Sequence, residues 1–406
     1  MTTHSHTLPN GLRIIHMPTD SHVAYCGFAV NAGARDETKS EHGLAHFVEH
    51  TLFKGTRKRK AWHILNRMEN VGGELNAYTT KESTFIYSIF MDKDFERATE
   101  LLSDLITNPL FPENELKKER EVILDEIQSY EDSPSDLIFD DFENMLFDGH
   151  PLGHHILGDK RSLKSFGISS GKSFVERFYT VENMVFFTMS RTDFKKIIRL
   201  AEKYMSDIPS QKQPLSRTKP EEIKAYEVLK KKKTHLTHVI IGGRAYDMHN
   251  KNRYPLFLLN NILGGPGMNN RLNVSLREKN GLVYNVESNI TSYTDTGVFS
   301  IYLGTDPRNR ERAIALVEKE ISGLLTKKLT TTQLAAAKKQ AIGQIGVAGD
   351  NKESKFLGLG KSFLHFDRYE PLPEVFAKIE KITAEQIIEA ANNILTPEKL
   401  FRLIYV

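Results

Sequence analysis

Two histidines and a glutamate stand within one run of five residues, His46-Phe47-Val48-Glu49-His50. On a helix, residues four apart lie on one face about one turn apart, so both imidazoles could hold a single divalent cation. Zinc is the usual partner of neutral imidazoles, and Glu49 on the same side could accept a proton instead of binding the metal. The alternative is an amphipathic helix whose histidines are structural, and these five residues alone leave both interpretations open.

This chemistry requires the run to be helical, and the neighbouring apolar residues support a helix. They recur at helical spacing, and Gly55 follows them as a stop signal. The apolar positions are Leu44, Phe47, Val48, Leu52 and Phe53. A zinc site also needs a third protein ligand, which must come from another element.

Residues 113–130 provide the candidate third ligand. The segment predicts a helix with acidic residues in its first turn, and Glu119 and Glu126 are seven apart, so they point the same way two turns apart. Glu126 could complete a His-His-Glu zinc site with water in the fourth position, and Glu119 could bond to a ligand histidine and fix its tautomer. The alternative is a solvated face of charged side chains.

Five blocks of the sequence resemble, in order, blocks of the pitrilysin-type zinc peptidases, which carry the inverted His-x-x-Glu-His motif. They are DETKSEHGLAHFVEHTLFKGT (36–56), VGGELNAYTTKESTFIY (71–87), EREVILDEI (119–127), LGGPGMNNRL (263–272) and LREKNGLVY (276–284). Glu126 follows His50 by 76 residues, which is the spacing of that family. The similarity covers essentially the whole chain and points to a short, two-domain member of the bacterial or mitochondrial processing peptidase type.

The resemblance implies a role for each matched residue of the metal motif. It implies that His46, His50 and Glu126 hold one Zn²⁺ per chain. It also implies that Glu49 is the general base. Glu119 would form a hydrogen bond to a ligand histidine without binding the metal itself.

The resemblance further implies how a peptide is bound. Arg277 and Tyr284 would bind the substrate backbone or the tetrahedral oxyanion. An edge strand would pair with the extended peptide around Asn76 and Ala77. Two residues stand where the family usually has serines, which affects fine substrate contacts and not the chemistry: Asn269 and Asn270.

Composition bounds the class of protein. The chain has 406 residues, with 39% hydrophobic and 26% charged, and its formal net charge of +3 predicts no nucleic-acid partner. The N-terminal residues do not resemble a secretory signal, and no apolar run is long enough to span a bilayer. Cys26 is the only cysteine, so no internal disulfide can form, and we predict that Cys26 is a core residue. These features predict a cytoplasmic protein.

Strands and helices mix without strict alternation, which predicts an α+β fold. The order strand, helix, long helix occurs twice, at 84–90, 95–106 and 113–130, and at 296–302, 309–325 and 331–347. In the second copy, Gln344 stands where the first copy has Glu126.

We therefore predict a zinc-binding catalytic domain at 1–210 and a homologous domain without metal at 220–406, which carries the Arg/Tyr pair. A polar, proline-bearing linker at 209–220 would join them. The resemblance implies the same fold, two similar halves that each pack helices on a mixed β-sheet.

These inferences predict a zinc metalloendopeptidase that hydrolyses peptides or small unfolded polypeptides by a metal-activated water. Larger relatives hold four such domains, so the resemblance implies a homodimer that closes a chamber. The alternatives are a catalytically silent scaffold and one subunit of a heteromeric processing peptidase. The intact metal motif argues against the first, and the presence of both Arg277 and Tyr284 argues against the second.

Further histidines have less specific surroundings. His150, His154 and His155 cluster in a stretch rich in glycine and proline, which predicts a surface loop. His42, four residues before His46, would extend the helical face as a neighbour of the site and not as a ligand.

Overall fold

The computed structural model describes residues 3–210 and 216–406. In chain order, the strands are β1 His4–Thr7, β2 Arg13–Pro18, β3 Val23–Val30, β4 Glu74–Thr79, β5 Thr84–Met91, β6 Met184–Ser190, β7 Glu227–Lys230, β8 Thr237–Ala245, β9 Val283–Ser292, β10 Gly297–Thr305 and β11 Phe401–Tyr405. They form two separate mixed sheets, which confirms the predicted α+β class.

Helices connect and cover the strands. They are α1 Leu44–Leu52, α2 Ala61–Glu69, α3 Phe95–Thr107, α4 Glu113–Glu131, α5 Pro134–Leu146, α6 Lys160–Ser165, α7 Ile168–Phe178, α8 Phe194–Met205, α9 Arg253–Gly264, α10 Arg310–Thr326, α11 Thr331–Ala348, α12 Lys352–Phe366, α13 Leu372–Glu380 and α14 Ala384–Ile394. Among the described residues, none of these helices is long and apolar enough to cross a bilayer.

The chain forms two compact units. The described residues of the first unit fall within Met1–Gln128, His154–Arg217 and Gly349–Pro371. Its sheet has the order β1-β2-β6-β3-β5-β4, in which only β2 and β6 run parallel. Successive side chains of a strand point to opposite faces, so β3 sends Cys26 and Phe28 into a core with α1 and α3, and Tyr25 into a core on the other face with α12. Cys26 is fully buried, as predicted.

The second unit repeats this plan. It comprises Ser129–Gly153, Thr218–Ala348 and Leu372–Val406, and its sheet has the order β7-β11-β8-β10-β9. Pair by pair, this order matches β2-β6-β3-β5-β4, including the one parallel pair, β7 with β11. The predicted degenerate duplication is therefore visible as two sheets of the same topology.

Two helices depart from the predicted division at 210–220. Helix α5 belongs to the second unit, where Ile138 and Phe142 pack beside Leu403, and α12 belongs to the first unit, where Phe356 stacks on Phe187 at 4.4 Å between ring centroids. The apolar face of an amphipathic helix shows that the helix is covered but not which sheet covers it, so the sequence could not predict this exchange. Of the predicted linker 209–220, residues 211–215 lie outside the described residues.

Candidate metal centre

The helix that carries both histidines is fixed at its beginning by a buried carboxylate. Gly43 precedes α1 with φ of 92°, a left-handed conformation that favours glycine. Glu37 accepts one hydrogen bond from the backbone N–H of Gly43 at 2.9 Å and another from that of Ala45 at 2.7 Å. These are N–H groups that the first turn of a helix leaves unpaired, and a negative charge there is favoured by the helix dipole. Glu37 therefore holds the start of α1 in place.

His154 contacts the same carboxylate. Its Nε2 lies 2.9 Å from the Oε2 of Glu37, and its ring stacks on His42 at 4.0 Å between centroids. Burial raises the pKa of the Glu37 carboxyl, against the two backbone hydrogen bonds, and burial lowers the pKa of His154 to about 4. His154 lies in a loop, as predicted, but its imidazole is mostly buried against Glu37 and not at the surface. His42 is not helical, since α1 begins at Leu44.

The structure brings His46, His50 and Glu126 together. Their candidate ligand atoms all lie within 4.8 Å of one another. Both Nε2 atoms, of His46 and of His50, lie 3.7 Å from the Oε2 of Glu126. Two ligands of a tetrahedral zinc ion at ordinary bond lengths are about 3.4 Å apart, so small side-chain movements would suffice. Two imidazoles and one carboxylate form a ligand set that zinc commonly takes, and the residues present fit that ion.

The two imidazoles have different surroundings. Burial lowers the pKa of His46 to about 3, with a smaller effect of the nearby His50, so the ring is held in the neutral form that binds metals. The buried Nδ1 of His46 has no hydrogen-bond partner among the described residues. In contrast, the Nδ1 of His50 lies 3.1 Å from the Oε2 of Glu119. The Oε1 of Glu119 pairs with the ammonium of Lys54 at 2.6 Å, so this contact fixes which nitrogen of His50 faces the cluster.

Glu49 lies beside the cluster and has its own partner. The hydroxyl of Thr79 on β4 donates a hydrogen bond of 2.6 Å to its Oε2. Burial raises the pKa of the Glu49 carboxyl, while the bond from Thr79 and the nearby His50 oppose the shift. A carboxylate in this position can accept a proton from a water held by the cluster and release it again.

The strand that carries Thr79 is the last strand of its sheet. β4 pairs with β5 only, with Asn76 opposite Tyr87 and Ala77 opposite Ile86. The other edge of β4 pairs with no strand among the described residues. Such an edge can add an extended peptide through backbone hydrogen bonds, and both Asn76 and Ala77 are half-buried there.

The remaining predicted pair lies in the second unit. Arg277 lies near the end of a short π-helical segment, Asn273–Glu278, and its side chain is exposed. Tyr284 stands near the beginning of β9, which is an edge strand, and is 69% exposed. An exposed arginine and tyrosine near one sheet edge are available to a ligand.

Four contacts of the site were missed by sequence reasoning: those of Glu37, His154, Thr79 and Lys54. Glu37 lies seven residues before α1, too far upstream for a normal capping position, so no spacing rule indicates it. Thr79 follows the predicted Asn76 and Ala77 along one strand, and the alternation of side chains was the only available signal.

Comparison with known proteins identifies similar chains. Residues 14–160 match the family described as Insulinase (Peptidase family M16), and residues 170–341 match that described as Peptidase M16 inactive domain. The protein YmxG of Bacillus subtilis, named an uncharacterized zinc protease, is 31% identical over 401 residues, which are 98% of this chain and 97% of YmxG. An uncharacterized zinc protease of Rickettsia felis is 33% identical over 392 residues, 96% of this chain and 94% of its own.

Solved structures share the fold. A protease from Helicobacter pylori superposes with a TM-score of 0.91 at 21% identity, over 100% of this chain and 99% of its own. A peptidase M16 inactive domain from Pseudomonas fluorescens gives a TM-score of 0.92 at 21% identity, over 100% and 98%. At this identity, the two structures support the fold and not a function.

Proposed function

Because this chain belongs to the M16 family of pitrilysin-type, or insulinase, peptidases, we propose that it is a zinc-dependent endopeptidase acting on peptides or small unfolded polypeptides. The observation that carries the proposal is the cluster of His46, His50 and Glu126 with Glu49 beside it. The names of the relatives, which call them zinc proteases, support the choice of metal and of reaction.

The proposal assigns each step to a side chain. His46, His50 and Glu126 hold the metal, and Glu119 holds His50 in the tautomer that presents Nε2. When bound, zinc would polarise the scissile carbonyl and lower the pKa of a water molecule toward neutrality. Glu49 takes the proton of that water on a carboxylate oxygen and passes it to the leaving nitrogen.

The substrate would lie along the free edge of β4. Backbone groups at Asn76 and Ala77 would pair with an extended peptide, which places its carbonyls beside the strand that also carries Thr79. Arg277 and Tyr284 would bind the peptide backbone or the developing oxyanion.

The proposal is tested by Glu49→Gln. The amide keeps the size of the side chain but cannot accept the proton, so hydrolysis of a quenched peptide should fall at least ~10²-fold. Metal analysis should still find about one zinc per chain, because Glu49 is not a ligand. Glu69→Gln, an exposed position on α2, is the matched control and should behave as wild type. A Glu49→Gln protein that cleaves at the wild-type rate would remove the assigned base.

A non-catalytic role is the second candidate, and the match of residues 170–341 to the family described as Peptidase M16 inactive domain favours it. The two candidates differ in one measurement. Wild-type protein loaded with zinc and free of contaminating protease should cleave the peptide, and a chelator should stop it. No cleavage by zinc-loaded protein would favour the scaffold, whereas cleavage that survives the chelator would contradict the zinc-dependent mechanism.

We also propose that the chain works as a homodimer in which each site uses Arg277 and Tyr284 of the second copy. The basis is the family resemblance, which implies that larger relatives hold four such domains where this chain holds two. Mixing Glu49→Gln with Tyr284→Phe should restore activity, because in a mixed dimer one site carries both changes and the other carries neither, so about half of the sites work. If subunit exchange is verified and the mixture stays inactive, the pair does not act in trans.

A further inference from the structure

A groove of about 680 Å³ lies in the first unit, between the end of α1 and the beginnings of α2 and α4. We call it the basic groove. Its lining includes cations on a turn and apolar residues, together with a few neutral polar side chains and one acidic side chain. The residues that carry the argument are Arg57, Lys58, Lys60, Trp62, Leu110 and Pro112.

The backbone fixes the cations in place. The N–H of Thr56 donates to the carbonyl of Arg59 at 2.8 Å, and Gly55 and Lys60 form an isolated antiparallel bridge. Arg57 and Lys58 therefore stand at the tip of a tight turn, and Lys60 stands directly before α2. The first N–H groups of α2, which begins at Ala61, add partial positive charge at the same place.

Three of the cations of the groove have no ion-pair partner among the described residues. Arg59 is neutralised by Glu100 and by Asp104, and Lys54 is paired with Glu119. In contrast, the side chains of Arg57, Lys58 and Lys60 are exposed and unpaired in the part of the chain that the structure describes. The acidic residue that lines the groove, Glu115, pairs with Lys118. The groove thus has an excess of positive charge at its rim.

The groove also has an apolar part. Trp62 is 59% exposed and has one face covered by His63, at 3.7 Å between ring centroids. Leu110 is 39% exposed beside it. A large exposed indole with a neighbouring leucine marks a surface that gains from being covered.

We propose that the basic groove binds an acidic segment of the polypeptide substrate, with carboxylates on the three cations and an apolar side chain on Trp62. A polypeptide fits better than a compact polyphosphate, because apolar residues line the groove together with the cations and can contact an apolar side chain. The proposal rests on the proposed peptidase function and deepens it by giving the substrate class.

The groove is joined to the metal cluster by one carboxylate. Lys54 lines the groove and pairs with Glu119, and Glu119 contacts His50. A segment in the groove would therefore lie close to the cluster, so it can position the chain that is being cleaved. We expect the groove to act on substrate binding and not on the chemical step.

Binding is measured in the Glu49→Gln protein, so that the outcome does not depend on hydrolysis. Trp62 is the only tryptophan of the chain, and its emission therefore reports the groove directly. The probes are a peptide of alternating glutamate and leucine, its match with glutamine in place of glutamate, and inorganic tripolyphosphate. The glutamate peptide should shift the emission to the blue and bind about tenfold more tightly than the glutamine peptide, with the preference lost at high salt.

The variant Arg57→Gln/Lys58→Gln/Lys60→Gln should bind the glutamate peptide about tenfold more weakly than the parent protein. It should therefore no longer prefer that peptide over the glutamine peptide. The matched control, Lys231→Gln/Lys233→Gln/Lys251→Gln, removes three exposed cations of the second unit and should keep the preference. Equal binding of both peptides, or tighter binding of tripolyphosphate than of the glutamate peptide, would overturn the proposal.

A kinetic measurement separates the groove from the cluster. In otherwise wild-type protein, the groove variant should raise KM for the glutamate peptide about tenfold and leave kcat and zinc content unchanged. KM for the glutamine peptide should not change. A fall in kcat for both peptides would show that the cations act on the cluster, which contradicts a binding role. If no peptide is hydrolysed at all, the proposed function fails, while the emission measurement still decides the groove.

Discussion

The two units place different chemistry at corresponding positions of one topology. In the first unit, α1 and α4 bring two imidazoles and a carboxylate together. In the second unit, α9 and α11 hold the same places along the chain, and there the Nδ2 of Asn261 donates to the Oε1 of Gln344 at 2.7 Å. Glu126 and Gln344 each lie thirteen residues after the first residue of their helix. The difference therefore lies in the side chains and not in the scaffold.

The two arrangements satisfy their polar groups in different ways. An amide carries both donor and acceptor, so Asn261 can donate directly to Gln344 and this contact needs no ligand. Two neutral imidazoles and a carboxylate present only acceptors toward their common centre, which a cation can satisfy. The comparison teaches that the fold supplies the meeting point of the two helices, and that the ionisable side chains decide whether a metal belongs there.

The strongest way to break the comparison is to give the first unit the side chain of the second. Glu126→Gln removes the anionic ligand and leaves an amide, as at Gln344. Zinc affinity should fall by more than ~10²-fold, which exceeds the loss of affinity typical for residues that contact a ligand but do not bind the metal themselves. Hydrolysis should fall with it. Competition with a series of chelators measures the affinity. Glu121→Gln, exposed on the same helix, is the control. Zinc binding at wild-type strength in Glu126→Gln would remove it from the ligand set.

A smaller change sharpens the roles of the two glutamates on α4. Glu119→Gln keeps a hydrogen-bonding group beside His50 but removes the charge that pairs with Lys54. The zinc affinity should fall about 10–100-fold, less than for Glu126→Gln. The same chelator series orders the two variants. If Glu119→Gln lost more zinc than Glu126→Gln, the assigned roles would have to be exchanged.

Local sequence patterns predicted the secondary-structure elements of the site, but they did not predict its long-range contacts. Helix α1 and helix α4 follow from periodicity and turn signals, because those depend on neighbours in sequence, whereas the edge position of β4 follows from the family resemblance. The approach of Glu126 to the histidines follows from the family spacing. The bonds of Glu37 to α1 and of Thr79 to Glu49 depend on how loops and strands meet, and no spacing rule encodes them.

The same limit explains the exchange of helices between the units. The apolar residues of α5 and of α12 predict a buried face, and both faces are buried. Which sheet covers them depends on the path of the chain after α4 and after α11. No local signal in the sequence indicates that path, so a division at 210–220 was the simplest prediction.

The smallest expected effects come from the second unit. Gln344→Leu removes the oxygen that accepts the hydrogen bond of Asn261. Because Asn261 is only 6% exposed, water has little access to replace that partner. An unsatisfied buried donor lowers the free energy of unfolding by about 1–3 kcal/mol. Because Gln344 is half-buried, we expect a loss near the lower end of that range. Gln344→Glu should cost less, because a carboxylate oxygen can still accept from Asn261. Neither variant should change zinc content, since the second unit has no imidazole pair beside Gln344 among its described residues. Hydrogen exchange at the amides of β8 to β10 measures the local stability. Faster exchange in Gln344→Leu than in Gln344→Glu and wild type supports the amide pair as a structural substitute for the metal, whereas exchange at the wild-type rate in Gln344→Leu would show that the pair stabilises nothing.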